Sequence, residues 1–166
     1  MNDVRIRLEQ PGDVASVRIV NEQAFGRALE AALVDRLRGD RDLVLSVVAA
    51  NDRIVGHAAF SRLHMEEGSL RAIALAPVAV VPAYQGCGIG TVLVQDGLDR
   101  LRLAGEHVVL VLGEPAYYSR FGFKVEAARH FSTPYDGPYL QALALSEHGV
   151  EAAGVVRYPQ AFADLG

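Results

Sequence analysis

One short segment constrains this chain more than any other. Gln85-Gly86-Cys87-Gly88-Ile89-Gly90 sits between a continuous apolar run, Ala72 to Val81, and a stretch carrying Val92, Leu93, Leu98 and Leu101 at helical spacing. The run does not alternate, so it reads as a strand buried on both faces, and Pro82 closes it because proline cannot donate to a ladder. The glycines permit backbone routes closed to other residues and let the chain approach closely whatever it faces. With a further strand at Val108 to Leu112, this makes a strand, loop, helix, strand crossover, which joins parallel strands in the right-handed sense. At the head of such a helix, free backbone N–H groups and the positive end of the dipole favour an anion. An ordinary tight turn has the same glycine content, so the segment alone leaves both readings open.

The flanking patterns supply the rest of the fold. Val4 to Leu8 alternates like a half-buried strand, and Pro11 with Asp13 opens a helix through Val14, Val17, Ile19 and Val20. Leu29, Leu33 and Leu37 stack at four-residue spacing in a second helix, Ala28 to Arg38, which Gly39 ends. Leu43 to Ala50 and Ile54 to Leu63 form a hairpin across Asn51 and Asp52, residues that tolerate left-handed geometry. Beyond the crossover, Pro115 starts a short helix that Gly122 ends. Lys124 to Ala127 and Tyr139 to Leu145 read as closing strands, with Val155 to Tyr158 as a candidate edge strand. Hairpins demand antiparallel pairing and the crossover demands parallel pairing, so the sheet is mixed. No repeat, linker or low-complexity tract divides residues 1–166, which read as a single domain.

Composition matters here for what it excludes. Sixteen basic residues against twenty acidic ones give a net charge of −4, without the basic excess that nucleic-acid binders use. Lys124 is the one lysine, leaving fifteen arginines, which reads as codon bias more than as phosphate or carboxylate binding. The single Cys87 forms no intramolecular disulfide, and His57, His64, His107, His130 and His148 lack the close pairing of a zinc site, so no metal is expected. The longest uncharged run, Ala72 to Gln95, contains two prolines, and the start MNDVRIRLEQ has no basic-then-apolar leader pattern. A cytoplasmic protein without nucleic-acid or membrane partners is expected, and a homodimer is left open.

Two known phosphate loops do not fit. A dinucleotide fingerprint starting at Gly86 or Gly88 requires glycine where Thr91 or Leu93 stands, and a Walker loop requires a lysine, none of which precedes residue 124. What remains is Gln/Arg-x-x-Gly-x-Gly/Ala. Together with the stretch from Val78 to Leu93 and with Ala116-Tyr-Tyr-Ser-Arg-Phe-Gly-Phe123, it makes the chain resemble the GNAT superfamily of acetyl-CoA-dependent N-acetyltransferases. The resemblance is strong from Leu75 to Phe123. It is similar in particular to bacterial members of unassigned substrate that carry a Phe-Gly-Arg segment, here Phe25-Gly26-Arg27, before a helix containing Leu33 and Val34.

That resemblance implies one α/β (α+β) domain. Its sheet is mixed, mostly antiparallel, of about six to seven strands flanked by helices, splayed between the fourth and fifth strands, with a bulge near Val80 and Val81. It implies acetyl-CoA as cosubstrate and a primary amine of a small molecule, peptide or protein as acceptor. The pyrophosphate would rest on the amides of Gln85, Gly86, Cys87, Gly88, Ile89 and Gly90 with Thr91 nearby, and the pantetheine arm would pair with the backbone of Val78, Ala79 and Val80. The oxyanion donor would be a backbone N–H near Val80. Tyr118 occupies the family's general-acid position, and a phenol near pKa 10 can return a proton to a thiolate near 8.5. Tyr117 and Tyr118 also read as plain packing of a helix on the sheet. Many relatives place a glutamate on the fourth strand, whereas this chain has Ala76, Val78 and Val80 there. Glu30, Glu66 or Glu67 are then candidates for the amine side, though such acids are more often solvated surface groups, and His64 is similarly open. Cys87 reads as a bystander or as a thiol activated by a helix end, and Phe131 and Tyr135 as pocket or as core cover. The missing carboxylate keeps a second reading alive, a non-catalytic acyl-CoA-binding sensor or structural module of the same fold.

Overall fold

The computed structural model describes residues 3–165. The elements run β1 (Arg5–Leu8), α1 (Val14–Phe25), α2 (Leu29–Gly39), β2 (Leu43–Ala50), β3 (Ile54–Met65), β4 (Ala72–Val80), α3 (Ile89–Leu103), β5 (Val108–Leu112), α4 (Pro115–Tyr118), α5 (Val125–Ala128), β6 (Phe131–Ser132), β7 (Leu140–Ala144) and β8 (Gly154–Arg157). The sheet order is β1-β2-β3-β4-β5-β7, with β8 joined to β3 and to β6. Pairs β1–β2, β2–β3, β3–β8 and β5–β7 are antiparallel, while β4–β5 and β6–β8 are parallel. The sheet is therefore mixed and mostly antiparallel, as the hairpins and the crossover require. The β4–β5 ladder covers only Ala72–Leu75 against Val108–Val111. The two strands part there, and β4 continues to Val80 beyond the ladder.

Contacts group the chain into two units. One takes the chain up to Ser61, Pro77–Gly97 and the end from Gln160; the other takes Arg62–Ala76 and Leu98–Pro159. In the first unit, Val17, Val20, Leu33, Leu37, Val47, Phe60 and Leu93 are buried apolar residues. Gly97 lies mid-helix because of Phe60: a Cβ there would stand 3.3 Å from Cδ1 of that ring and overlap its outer edge. Packing here outweighs the weak helix propensity of glycine. Behind β2 and β3 runs a buried polar chain. His57 Nδ1 accepts from Asn21 Nδ2 (3.1 Å), whose other proton goes to Val17 O (3.0 Å), so the His57 proton sits on Nε2 and is donated to Ser46 Oγ (2.8 Å). Ser46 donates to Glu9 (2.8 Å), which Arg38 clamps through both carboxylate oxygens. Burial, then the Arg38 charge, push His57 down to about 3, so the ring is neutral.

In the second unit, β5 is apolar throughout, with β4 on one side and β7 on the other, Val108↔Ala144 through Leu112↔Leu140. Glu106, 2% exposed, is held by Arg62 (2.6 and 2.8 Å) and Arg71 (2.6 Å). Burial pushes its carboxyl up, but the Arg62 hydrogen bond and the charges of both arginines outweigh it and hold the group below the ordinary carboxylate range.

Three expectations need correction. The Asn51–Asp52 turn uses no left-handed residue; Asn51 Oδ1 instead accepts the Arg53 N–H (3.1 Å), an Asx turn that satisfies the backbone by a side chain. Lys124–Ala127 is not a strand: Lys124 makes one bridge to Ala142, and helix α5 follows at once. The sheet has eight strands rather than six or seven, because β6, whose two residues are too short a run to read locally, pairs with β8.

Candidate active site

The glycine loop belongs to the first unit. There β4 delivers the chain to Val81, which leaves the strand in polyproline-like geometry (φ −59°, ψ 144°) with its N–H on Val55 O (3.0 Å). A short 3₁₀ turn, Pro82–Tyr84, leads into the loop, and the Asn51 amide braces it through the Tyr84 hydroxyl (3.0 Å). Gln85 folds its side chain back and donates to Val80 O (2.9 Å), tying the loop to the end of β4. Gly86 and Gly88 have φ of +78° and +87°, the region where a Cβ is strained, yet nothing lies within 4 Å of a Cβ built there. These glycines are required by backbone conformation and not by crowding, and the space beside them is open. α3 starts at Ile89, and the Val92 N–H reaches back to Gly88 O (3.1 Å), so the amides before it head the helix without intrahelical acceptors. Ile89 is buried as the anchor of the turn, whereas Cys87 is exposed with Sγ 3.5 Å from Gln85 O. Of the strand residues, Ala79 is buried, and Val78 and Val80 are half-buried. Open space, amides at a helix head and two left-handed glycines form a donor set that suits a pyrophosphate.

In the second unit, Tyr118 ends α4. Its ring packs edge-on against Phe123 (centroids 5.9 Å apart) and Tyr117 (4.9 Å), and tilted against Phe121 (6.2 Å). Burial, and then the neighbouring Tyr117, push its hydroxyl up to about 12. No protein hydrogen bond occupies that hydroxyl among the described residues. The ring also rests on Gly113, where a Cβ would stand 3.0 Å from Cδ2 and closer still to Cε2. Tyr117, the neighbour left to packing, stacks under the Arg120 guanidinium at 4.2 Å.

The acids and the histidine proposed for the amine side divide. Glu30 on α2 is 8% exposed, and Arg27 grips it through two hydrogen bonds, Nε to Oε1 at 3.0 Å among them. The Arg27 hydrogen bond outweighs burial and holds its carboxyl below the ordinary range. A carboxylate held this way is a poor proton acceptor but a fixed negative charge. Glu66, Glu67 and His64 are exposed, around the end of β3. Phe131 is buried in β6, and Tyr135 packs edge-on against Tyr158 at 4.7 Å. Among the described residues no group of three or more His, Cys, Asp or Glu could hold a metal ion, and no helix is long and apolar enough to cross a membrane. Sequence reasoning missed Gly113 and Gln141, the latter being the one polar residue of β7. Their signals were a glycine between a strand end and the tyrosine helix, and an amide in an apolar strand.

The sequence model of the acetyltransferase (GNAT) family matches residues 15–123. The chain is 40% identical over 127 residues to the uncharacterised N-acetyltransferase YhbS of Escherichia coli K12, covering 75% of each protein. It is 39% identical over 132 residues to the uncharacterised N-acetyltransferase YjhQ of the same strain, covering 76% of this chain and 73% of that one. Among solved structures, YhbS from Escherichia coli in complex with CoA superposes with a TM-score of 0.91 at 34% identity, covering 98% of this chain and 93% of that one. A GNAT family acetyltransferase from Brucella melitensis in complex with acetyl-CoA superposes at 0.83 with 38% identity, covering 98% and 99%.

Proposed function

Because this chain belongs to the acetyltransferase (GNAT) family, we propose that it moves the acetyl group of acetyl-CoA onto a primary amine of a small molecule, peptide or protein by direct attack. Acetyl-CoA supplies the acetyl group as a thioester. The observation that carries the reading is the Gln85–Gly90 loop: two left-handed glycines beside open space at the head of α3. Its amides, with Thr91, would hold the pyrophosphate, and the backbone of Val78, Ala79 and Val80 beyond the β4–β5 ladder would pair with the pantetheine arm. The complexes of the two similar structures with CoA and acetyl-CoA support this assignment.

Tyr118 Oη holds the proton that the leaving thiolate needs. With its pKa near 12 the phenol stays protonated wherever the amine reacts, and donation to a thiolate remains feasible because the acceptor's acid lies only a few units below. No carboxylate stands on β4, and Glu30 is occupied by Arg27, so the amine gives up its proton to solvent rather than to a dedicated base. Glu30 then acts as a fixed charge and not as a base. We place the reaction in the cytoplasm, in line with the single, free cysteine.

The test is thiol release from acetyl-CoA with a panel of primary amines, alongside CoA binding by calorimetry. Tyr118→Phe should lower the maximal rate about 10²- to 10⁴-fold with CoA binding unchanged. CoA binding without thiol release from any amine would favour the non-catalytic acyl-CoA module, and no CoA binding would reject both readings.

A further inference from the structure

β7 is apolar except at Gln141, which is 1% exposed and stands opposite Val111 of β5. Its amide nitrogen donates to Gly113 O (3.1 Å) and Tyr139 O (3.3 Å). Tyr139 O also accepts the N–H of Gly113 (3.1 Å). Gly113 is thus held at both its N–H and its carbonyl, and it is the residue on which the Tyr118 ring rests. The other end of the amide, Oε1, is buried and has no hydrogen-bond partner. An orphaned buried carbonyl is a cost, one that a leucine in the same strand would not carry. The feature that leucine would lack is the pair of N–H groups, which hold the Gly113 carbonyl under the tyrosine ring and the Tyr139 carbonyl that in turn holds the Gly113 N–H.

We infer that Gln141 is a positioning residue for Tyr118: by drawing the Gly113 and Tyr139 carbonyls together it fixes the backbone surface under the phenol and so the direction of its hydroxyl. The inference rests on Tyr118 being the proton donor. On this reading the amide acts through the backbone of Gly113 and Tyr139 and not on the substrate itself. Its loss should therefore appear in the maximal rate and not in acetyl-CoA binding. The effect should vanish once the hydroxyl itself is gone.

The experiment is a double-mutant cycle of Gln141→Leu and Tyr118→Phe, read by thiol release from acetyl-CoA with a mixture of amino acids, polyamines, aminoglycosides and short peptides. Gln141→Leu should lower kcat about tenfold with KM for acetyl-CoA within about twofold, and change kcat by less than about twofold in the Tyr118→Phe background. Equal losses in both backgrounds, or a raised KM with kcat intact, would overturn the inference. If Tyr118→Phe leaves thiol release unchanged, it is the proton-donor reading that fails. NMR of ring-labelled tyrosine needs no turnover: Gln141→Leu, or Gln141→Met should leucine not fold, should shift or broaden the Tyr118 signal while the Tyr84 signal stays put. An unmoved Tyr118 signal would overturn the inference on its own.

Discussion

Substituting Gly113→Ala tests the seat of Tyr118 directly. The backbone there is not left-handed, so alanine brings no conformational strain, and the effect reduces to one added methyl group. That methyl would stand 3.0 Å from Tyr118 Cδ2 and closer to Cε2, whereas carbon atoms settle at about 3.5–4.0 Å. Relief thus requires about 1 Å of movement. Gly113 itself is pinned by its N–H on Tyr139 O and its carbonyl on Gln141, and Phe123, 2% exposed, closes one side of the ring. The phenol must yield. With Tyr118 as the proposed proton donor, a misplacement of about 1 Å costs on the order of 10²-fold, which is about 2.7 kcal/mol of barrier. Crowding should cost a further ~1–3 kcal/mol of stability, less ~0.4–1 kcal/mol recovered by stiffening the unfolded chain. The assay is thiol release from acetyl-CoA with kcat and KM resolved, beside a thermal melt. Gly12→Ala, where nothing lies within 4 Å of a Cβ, serves as the control and should leave both unchanged. A Gly113→Ala protein with wild-type kcat would refute the reasoning, since the ring would then have room that the structure denies it.

Gly88→Ala should cost ~1–2 kcal/mol of stability, because φ of +87° disfavours any Cβ, and should weaken CoA binding by calorimetry more than it lowers kcat; unchanged affinity would argue against the loop as the pyrophosphate seat. The rate should climb with pH as the amine loses its proton and show no falling limb from Tyr118 until pH approaches 12. The folded state favours the protonated phenol, so that contribution to stability is complete below the unfolded value near 10 and lost as pH rises from there towards 12. His57, whose folded value is about 3 against 6.5, contributes in the opposite sense: its stabilisation is complete above pH 6.5 and declines by about 1.4 kcal/mol per unit as pH falls towards 3. Urea melts at several acidic pH values should show a shallower decline for His57→Gln than for the wild type, and parallel curves would contradict a buried neutral ring. Gly97→Ala should destabilise by overlap with Phe60, lowering the denaturation midpoint without shifting KM for acetyl-CoA.

Much of the architecture was legible because it is encoded locally. Period-2 alternation marks β1, the unbroken apolar run marks β4, and Gly39 and Gly122 sit where α2 and the turn after α4 end. Gly122 adopts φ of +99°, a geometry glycine adopts at little cost. Where local cues were weak, pattern failed. Lys124 to Ala127 satisfies a strand pattern as well as a helical turn, and only its single bridge to Ala142 followed by α5 decides between them. β6 exists because β8 lies beside it, more than twenty residues away.

The site divides in the same way. The glycine loop, with its helix and the strand before it, is contiguous in sequence, so glycine spacing and the missing lysine ruled out two phosphate-binding motifs, and the resemblance to a known family implied a third. Tyr118 was legible as a residue type in a pattern, but its protonation and its seat were not. Both depend on how nearby residues fold back on the ring, with Phe123 and Tyr117 packed against it and Gly113 as its floor, and on Gln141, 28 residues beyond Gly113, which holds the Gly113 carbonyl. Glu30 likewise became a clamped carboxylate only because Arg27 folds onto it across a helix start. The sequence by itself determined which backbone conformations the chain can adopt and in what order, since dihedral preference and hydrophobic period act over a few residues. Only the tertiary structure decided which proton sits where, because desolvation and hydrogen bonding depend on neighbours that the fold, and not the chain order, brings within reach.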